Sequence, residues 1–486
     1  MILSFPSPSR TVMALALLGA VGACAPRPPQ VGGNPIVPAT PASYAPAPVT
    51  IPRMPSTPVA AVPDVPDLQS LTLAQVVDLA LQNNPVTRQS WASAVGAADD
   101  YGAARGELLP SVTAGVATSR TLSLASSLRP AEERTLFGPV ATLSYLVLDF
   151  GGRSGRIDFA RRTALAASLS HNVNIQNTIL ATSSSVYEYL GTRALREAQQ
   201  AAVTEAEANL RAAQERHEVG LATIADELQA KTALAQAQLD LETIDGELAV
   251  SRSVVAVAMG LPATTQFNIP TIAPLDSAMM VTMAVDSLIA LAEASRPDLA
   301  ATREVVLSAS AAARVARAAM RPALALSSSG GYTSSSVIGT SGRNYTLNIG
   351  LQMPVFTGWA NRYRVHAAEA DVVGAQARSD ALRQQVALQV VTAHTGLQTA
   401  MRRLRTAEEL LAAAEQSEQV AAGRYREGVG TIVDLLVAQS ALAAARAQSI
   451  QTQWQWRQAL AQLSHDVGTL GIHGEPFLSR DPVSRK

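Results

Sequence analysis

The clearest local pattern in the chain is a strict alternation of apolar and polar residues from Asn344 to Met353. One face carries Tyr345, Leu347, Ile349, Leu351 and Met353, and the other carries Asn344, Thr346, Asn348, Gly350 and Gln352. Period two over this length predicts a β-strand, and a tilted strand of about ten residues can cross a bilayer. A half-buried strand of a soluble sandwich is the alternative, but the chain offers few other segments for it to pair with.

Weaker alternation marks a second hairpin earlier in the chain. Ala141 to Leu148 alternates, Ser111 to Ser119 does so more loosely, and the polar stretch between Leu122 and Arg134 predicts a connection. With a partner for the strand at 344–353, the chain therefore supplies four strands in two hairpins.

Helical periodicity dominates the rest of the chain. From about Arg153 to Glu218 helix-forming residues continue almost without a breaker, which predicts a helix about 100 Å long at 1.5 Å per residue. In the second half of the chain, apolar residues step by three and four, which is coiled-coil spacing. They are Val390, Ala393, Leu397, Ala400, Leu404, Ala407, Leu411 and Ala414.

Two segments of the chain align without a gap, residues 216–230 and residues 424–438. Each contains Arg, then Gly four residues later, then Thr and Asp at spacings of three. Other landmarks recur in the same order and at nearly the same offset, for example Ala104-Arg105…Pro110 and Ala316-Arg317…Pro322. Ordered recurrence predicts one structural unit used twice.

Each aligned segment predicts a tight reversal between antiparallel helices. Glycine enters the left-handed conformation that ends a helix without steric cost, which suits Gly220 and Gly428. Thr223 and Thr431 then fit N-caps of the following helices, and each has an aspartate three residues later, completing a capping box. Those aspartates are Asp226 and Asp434.

The start of the chain has the pattern of a secreted precursor. Residues 1–23 combine Arg10, a short apolar run and small residues, and Cys24 follows as the one cysteine of the chain. The sequence Val21-Gly22-Ala23-Cys24 resembles a bacterial lipoprotein box, which implies cleavage before Cys24 and its lipidation. An ordinary signal peptide with an incidental cysteine is the alternative.

Composition and breakers suggest five regions. They are a signal peptide at 1–23, an acylated cysteine and proline-rich linker at 24–67, repeats at 68–270 and 271–470, and a tail at 471–486. Net charge is −1, so no polybasic field indicates nucleic acid.

Four strands cannot close a barrel, and an open sheet edge is not tolerated in hydrocarbon. The mature chain also has no apolar run long enough to predict a membrane-spanning helix. If the hairpins lie in a membrane, several chains must pool them, and three chains would give about 12 strands.

The chain resembles TolC-type outer-membrane efflux proteins from about residue 70 to 468. The resemblance rests on the Arg-x-x-x-Gly-x-x-Thr-x-x-Asp reversals, on Asp149-Phe-Gly-Gly-Arg153 and on the duplication. It implies a mainly α fold with membrane β-strands: a homotrimer with a 12-stranded barrel and a periplasmic helical tunnel. It also implies an inner-membrane pump of the resistance-nodulation-division or ABC class, reached through a periplasmic adaptor protein.

The resemblance also implies a gate at the reversals. In this family, acidic residues at the helix tips narrow the tunnel, and Asp226 and Asp434 match those positions. Tyr425 matches a tyrosine that in relatives links to the aspartate of the other half, here Asp226. Gly430 and Val437 depart from positions where relatives have further charged residues. The alternative for both aspartates is helix capping alone.

The sequence gives no motif for catalysis, a nucleotide or a cofactor, and its six histidines lack metal-ligand spacing. We therefore expect a passive exit duct in the outer membrane rather than an enzyme. Two other functions remain open: the outer-membrane component of type I protein secretion, and a periplasmic coiled-coil adaptor or scaffold.

Overall fold

The structure is a computed structural model that describes residues 68, 70–125, 131–270, 283–336 and 341–471, with short pieces at 30–31, 34–35, 38 and 40–44. Cys24, most of the predicted linker and nearly all of the predicted tail lie outside the described residues.

Eight helices and six strands occupy the described residues, and they repeat in order. The helices are α1 (Leu73–Asn83), α2 (Pro85–Gly106), α3 (Gly152–Glu218), α4 (Ile224–Ala258), α5 (Val285–Ser295), α6 (Pro297–Ala318), α7 (Ala360–Arg426) and α8 (Ile432–Asp466). The strands are β1 (Gln30–Val31), β2 (Asn34–Pro35), β3 (Ser111–Ser123), β4 (Glu132–Leu148), β5 (Ala323–Ser335) and β6 (Gly342–Gln352).

The duplication is confirmed at residue level. Helices α3 and α7 each have 67 residues, and α4 and α8 each have 35. Each residue of the long helices in one half therefore has an equivalent residue in the other half. A contact seen in one half can be compared with the contact of the equivalent residues in the other. One offset relates all four helix ends: Gly152 corresponds to Ala360, Glu218 to Arg426, Ile224 to Ile432 and Ala258 to Asp466.

Strands β3 to β6 form one antiparallel sheet in the order β3-β4-β5-β6. The β4–β5 pairing joins the hairpins of the two repeats, with Tyr145 opposite Leu326. The outer edges of β3 and β6 have no partner strand among the described residues. A single chain thus ends its sheet in two rows of unpaired backbone groups.

The predicted connection between Leu122 and Arg134 is too long at both ends. The β3–β4 ladder continues to Ser123 opposite Glu132, and Arg120 makes an ion pair with Glu133 across the strands. Opposite charges at diagonal positions of a ladder can stabilise it, so polar composition overstated the length of the loop here.

The alternation in β6 is confirmed as a continuous apolar row on one face. Tyr345 is 89% exposed and Ile349 is 71% exposed in the single chain. A continuous row of large apolar side chains is unfavourable in water and marks a surface that another apolar phase covers. This face is what the membrane interpretation requires.

Each hairpin passes into a long helix through two consecutive left-handed residues. Phe150 and Gly151 have φ of 50° and 102°, and Gly358 and Trp359 have φ of 60° and 66°. A non-glycine residue in this region is uncommon and costs free energy. The chain accepts the cost twice at the same place, where a strand must turn sharply into a helix.

The apolar core lies around the middle of the long helices. In the second repeat, Val390 and Leu397 of α7 pack with Leu288 of α5 and Leu463 of α8. In the first repeat, Val186 and Leu190 of α3 pack with helices α1 and α4. The predicted α7 seam is confirmed, because six of its eight residues are buried and Ala400 packs against the same core.

No helix in the described ranges has both the length and the mean hydropathy that a membrane span needs.

Gly138 of β4 and Gly331 of β5 allow the β4–β5 ladder to close tightly. A Cβ at Gly138 would lie 1.8 Å from the carbonyl oxygen of Tyr332, whereas a Cβ at Gly115 would meet nothing within 4 Å. We expect Gly138→Ala to lower the yield of folded protein, because backbone must move to relieve the clash. Gel mobility before and after heating measures the folded fraction. Gly115→Ala is the matched control, and equal yields would show that the ladder is looser than described.

Candidate functional site

The candidate site consists of the two helix reversals farthest from the sheet. Gly220 and Gly428 have φ of 77° and 76°. The amide of Leu221 donates to the carbonyl of Arg216 over 2.7 Å, and the amide of Val429 donates to that of Arg424 over 3.0 Å. Both helices therefore end in the same left-handed glycine motif, as the sequence predicts.

Both capping boxes are formed. Thr223 Oγ1 accepts from the Asp226 amide over 3.3 Å, and Asp226 Oδ2 accepts from the Thr223 amide over 2.8 Å. Thr431 and Asp434 make the same pair of bonds at 3.2 Å each. Hydrogen bonds from the Thr431 side chain and backbone lower the pKa of Asp434, and the charge of Arg424 adds to this. The exposed Asp434 carboxylate is thus held ionised.

Arg216 connects the two reversals, which sequence reasoning missed. Its guanidinium lies 4.8 Å from the centre of the Tyr425 ring, and its Nη1 donates to the Tyr425 carbonyl over 2.9 Å. A cation on the last carbonyls of α7 also interacts favourably with the helix dipole. The recurrence of Arg at 216 and 424 was the available signal, but it does not tell which partner each would reach.

The expected hydrogen bond between Tyr425 and Asp226 is not made in the described residues. The Tyr425 hydroxyl is buried and has no hydrogen-bond partner there. Burial raises the pKa of Tyr425, Arg216 opposes the shift, and the charge of Asp226 adds to it. Asp226 Oδ2 instead accepts hydrogen bonds from the backbone amide and the hydroxyl of Thr223, so the described role of this carboxylate is capping.

Gly430 and Arg426 lie near the reversals but do not form a charged contact between them in the described part of the chain. A Cβ at Gly430 would lie 3.1 Å from both Arg424 Cβ and the Tyr425 amide nitrogen, so an arginine there would require a small backbone shift. Arg426 donates back to the Ala422 carbonyl of its own helix over 3.3 Å. Neither supplies a charge bridge between the reversals, which leaves Arg216 as the tie observed in the chain.

A second polar cluster joins the repeats farther along the helices. Asn209 of α3 donates to Gln439 of α8 over 2.7 Å, and Gln439 donates to Glu205 of α3 over 2.8 Å. Burial, followed by the nearby charge of Glu418, raises the pKa of Glu205. The cluster borders a cavity of about 280 Å³ between α3, α4 and α8. It fixes the packing of α3 against α8.

Comparison with known proteins places the fold in a family. The family model described as outer membrane efflux protein matches residues 76–261 and 288–469. Protein CyaE of Bordetella pertussis is 28% identical over 423 residues, covering 84% of this chain and 87% of the relative. The pyoverdine export outer membrane protein OpmQ of Pseudomonas putida is 27% identical over 385 residues, covering 74% and 78%.

The fold also matches a solved channel. The Campylobacter jejuni CmeC outer membrane channel has a TM-score of 0.72 at 18% identity, covering 84% of this chain and 87% of that one. The chain belongs to the outer membrane efflux protein family, whose model matches it once in each repeat. The predicted mainly α fold, with a duplicated unit of long helices and a β-hairpin, and the predicted role as an outer-membrane exit duct are confirmed. Family and fold are those of channel proteins rather than enzymes.

The Arg216 contact predicts which substitution loosens the reversals. We expect Arg216→Ala to raise single-channel conductance in planar bilayers, because it removes the cationic contact that links the two reversals. Tyr425→Phe should leave conductance unchanged, because the hydroxyl it removes makes no hydrogen bond. Arg426→Ala is the control, because Arg426 donates only within its own helix among the described contacts. A rise for Tyr425→Phe equal to that for Arg216→Ala would show that the hydroxyl is bonded in the assembled channel.

Proposed function

We propose that three copies of this chain form a closed tube through which small molecules leave the cell, driven by an inner-membrane pump through a periplasmic adaptor. The supporting observation is that equivalent helices of the two repeats differ in how many of their residues are buried. Helix α3 has buried residues along most of its length, whereas α7, which is equally long, has far fewer. Helix α8 is likewise buried at intervals from end to end, whereas α4 is buried only at Ala230, Ser251, Val255 and Ala256.

Packing inside the chain accounts for this difference. Helix α3 of the first repeat packs against α6 and α8 of the second. The translated contacts, α7 against α2 and α4, have no comparable counterpart in the described part of the chain. Because the two repeats have the same order of helices and long helices of equal length, a second copy can supply α2 and α4 to α7 in the geometry already seen within one chain.

Apolar residues mark these open faces. Leu388 and Val391 of α7 are 66% and 39% exposed, and Val250 and Val257 of α4 are 65% and 57% exposed. The residue equivalent to Val391, Ser183 of α3, is fully buried. Faces that one repeat covers in the chain are thus left uncovered by the other, as a ring of copies requires.

The sheet supports the same assembly. Each chain presents β3 at one edge and β6 at the other, so β6 of one copy can pair with β3 of the next. Three copies, the number that the family resemblance implies, give about 12 strands and no free edge. Helices of 67 residues then extend about 100 Å from the barrel on the periplasmic side.

The reversals form the periplasmic end in this proposal. Three Asp434 carboxylates around one axis would attract cations and repel anions, while Arg216 holds the repeats of each chain together. Val219, Leu221, Val429 and Val437 are 68%, 71%, 69% and 63% exposed at this end. Apolar residues at an exposed tip suit a contact with the tip of an adaptor.

Small-molecule cargo is supported by one relative, which is named for pyoverdine export. Export needs no catalytic group in this chain, since the energy comes from the pump. Accumulation of a fluorescent efflux substrate in cells lacking this chain tests the cargo class, and normal efflux of every small substrate tried would favour protein secretion instead.

Engineered disulfides test the ring. A Cβ at Gly191 would lie 3.5 Å from the Cβ of Trp454, which suits a disulfide within one chain. The equivalent pair, by the offset that relates the repeats, is Thr399 and the partner subunit's Gly246, both exposed in the single chain. We expect oxidised Thr399→Cys/Gly246→Cys protein to run as a covalent trimer on a non-reducing gel.

The matched control is Gly191→Cys/Trp454→Cys, which should oxidise without forming a larger species. Each single cysteine variant should also stay monomeric on the gel. If the Thr399→Cys/Gly246→Cys pair stayed monomeric while the control pair oxidised, the proposed neighbour contact would be wrong.

Cys24 is proposed as a lipid anchor that holds the duct in the outer membrane. We expect the protein to take up labelled palmitate and to lose the label in Cys24→Ala, because the thiol is an attachment point. Metabolic labelling followed by immunoprecipitation measures this. An unlabelled wild-type protein would show that the leader is an ordinary signal peptide.

A further inference from the structure

A cavity of about 410 Å³ lies where the sheet meets α7. We call it the junction cavity. Its lining includes Met320, Val355, Phe356, Trp359, Arg362 and His366. One wall is therefore apolar and aromatic, and the other carries cationic and imidazole side chains.

The apolar wall continues the outward row of β6. That row runs through Leu347, Ile349 and Leu351. Val355 follows Leu351 by four residues, just after the strand ends, and is 90% exposed. If the row faces hydrocarbon, as the proposed function requires, β6 crosses it with its 11 residues when tilted. The junction cavity then opens toward lipid at the level of the headgroups.

Trp359 and Phe356 fit that level. Their rings meet edge to face with centres 6.2 Å apart, and they are 60% and 76% exposed. Trp359 has a left-handed backbone conformation with φ of 66°, which glycine adopts most readily. Tryptophan is enriched where apolar chains meet polar headgroups.

Arg362 and His366 are one helical turn apart on α7, so their side chains lie on the same side. Nearby Arg317 of α6 is paired with Glu369 of α7 at 2.7 Å. Among the described residues Arg362 makes no ion pair. Its guanidinium is thus available for an anion at the cavity.

The first repeat contains a copy of this cavity with different charge. The copy has a volume of about 500 Å³ and has Ser154 and Asp158 at the positions where the junction cavity has Arg362 and His366. Its lining also includes Arg161 and Arg153, and Arg153 donates to the carbonyls of Glu107 and Leu146. Asp158 already pairs with Arg162 at 3.3 Å and with Arg314. This copy stays open although α6 covers the neighbouring face of α3, so the junction cavity can also stay open beside a neighbouring subunit.

We propose that the junction cavity binds the phosphate of an anionic glycerophospholipid of the adjoining leaflet. Arg362 donates to the phosphate oxygens in the forked geometry that guanidinium provides. Trp359 lies beside the glycerol region, and Val355 and Phe356 contact the first methylenes of an acyl chain.

Native mass spectrometry of the purified protein with added phosphatidylglycerol tests the site. We expect Arg362→Gln to weaken retention about tenfold, since it removes a charge-assisted bidentate contact. Arg364→Gln is the matched control: Arg364 lies two residues on, pointing away around the helix, and bonds Asn361 over 3.0 Å. It should retain the lipid as the wild type does.

The proposal rests on the proposed function, but the two can fail separately. The same spectra report the number of chains, so loss of lipid from an intact assembly is distinct from loss of assembly. Equal retention by Arg362→Gln and Arg364→Gln in intact assemblies would overturn the site. So would displacement of the lipid by millimolar inorganic phosphate, which would reveal a general anion site. Trp359→Ala provides a second variant, expected to lower lipid retention with the charge unchanged.

Discussion

An unpaired strand edge is the constraint on which the rest of this structure depends. Every backbone amide and carbonyl in hydrocarbon needs a partner within the protein, because no water is present to replace it. One chain gives four paired strands whose outer edges, on β3 and β6, are open. The apolar row of β6 makes water an equally poor environment for this sheet. Both demands are met together if sister copies complete the sheet.

The long helices meet the same demand in a different way. The duplication gives each chain two equivalent surfaces through which one repeat can pack on another. Among the described residues, packing within the chain covers the surface of α3, which contacts α6 and α8. The α7 and α4 faces stay exposed, with apolar residues along them. The second repeat covers α3 of the first repeat but leaves its own α7 exposed. Such a chain is suited to a ring, because each copy can cover the exposed α7 of its neighbour until the last copy meets the first. Tunnel and barrel thus follow from one duplicated unit.

Local chemistry made much of the fold predictable. Thr72 fixes the start of α1 through a capping box with Gln75, and Gly220 and Gly428 fix the ends of α3 and α7. These signals act within a few residues, so the sequence displays them directly. Strand β4 was less predictable, because its polar first half pairs through cross-strand contacts that composition does not mark.

The candidate site was only partly predictable for a related reason. The capping aspartates are set by spacing along one helix. The Arg216 contact joins residues 209 positions apart, and its geometry depends on how far α3 is displaced against α7. The resemblance suggested a tyrosine-to-aspartate bond, but the Tyr425 hydroxyl makes no hydrogen bond among the described residues.

The central claim is that sister copies close both the sheet and the helical wall. Single-particle electron microscopy of the detergent-purified protein measures this most directly. The account predicts three chains around one axis, with β6 of each chain hydrogen-bonded to β3 of the next and α7 packed on the α4 of its neighbour. A particle with one chain that stays dispersed without detergent would contradict it.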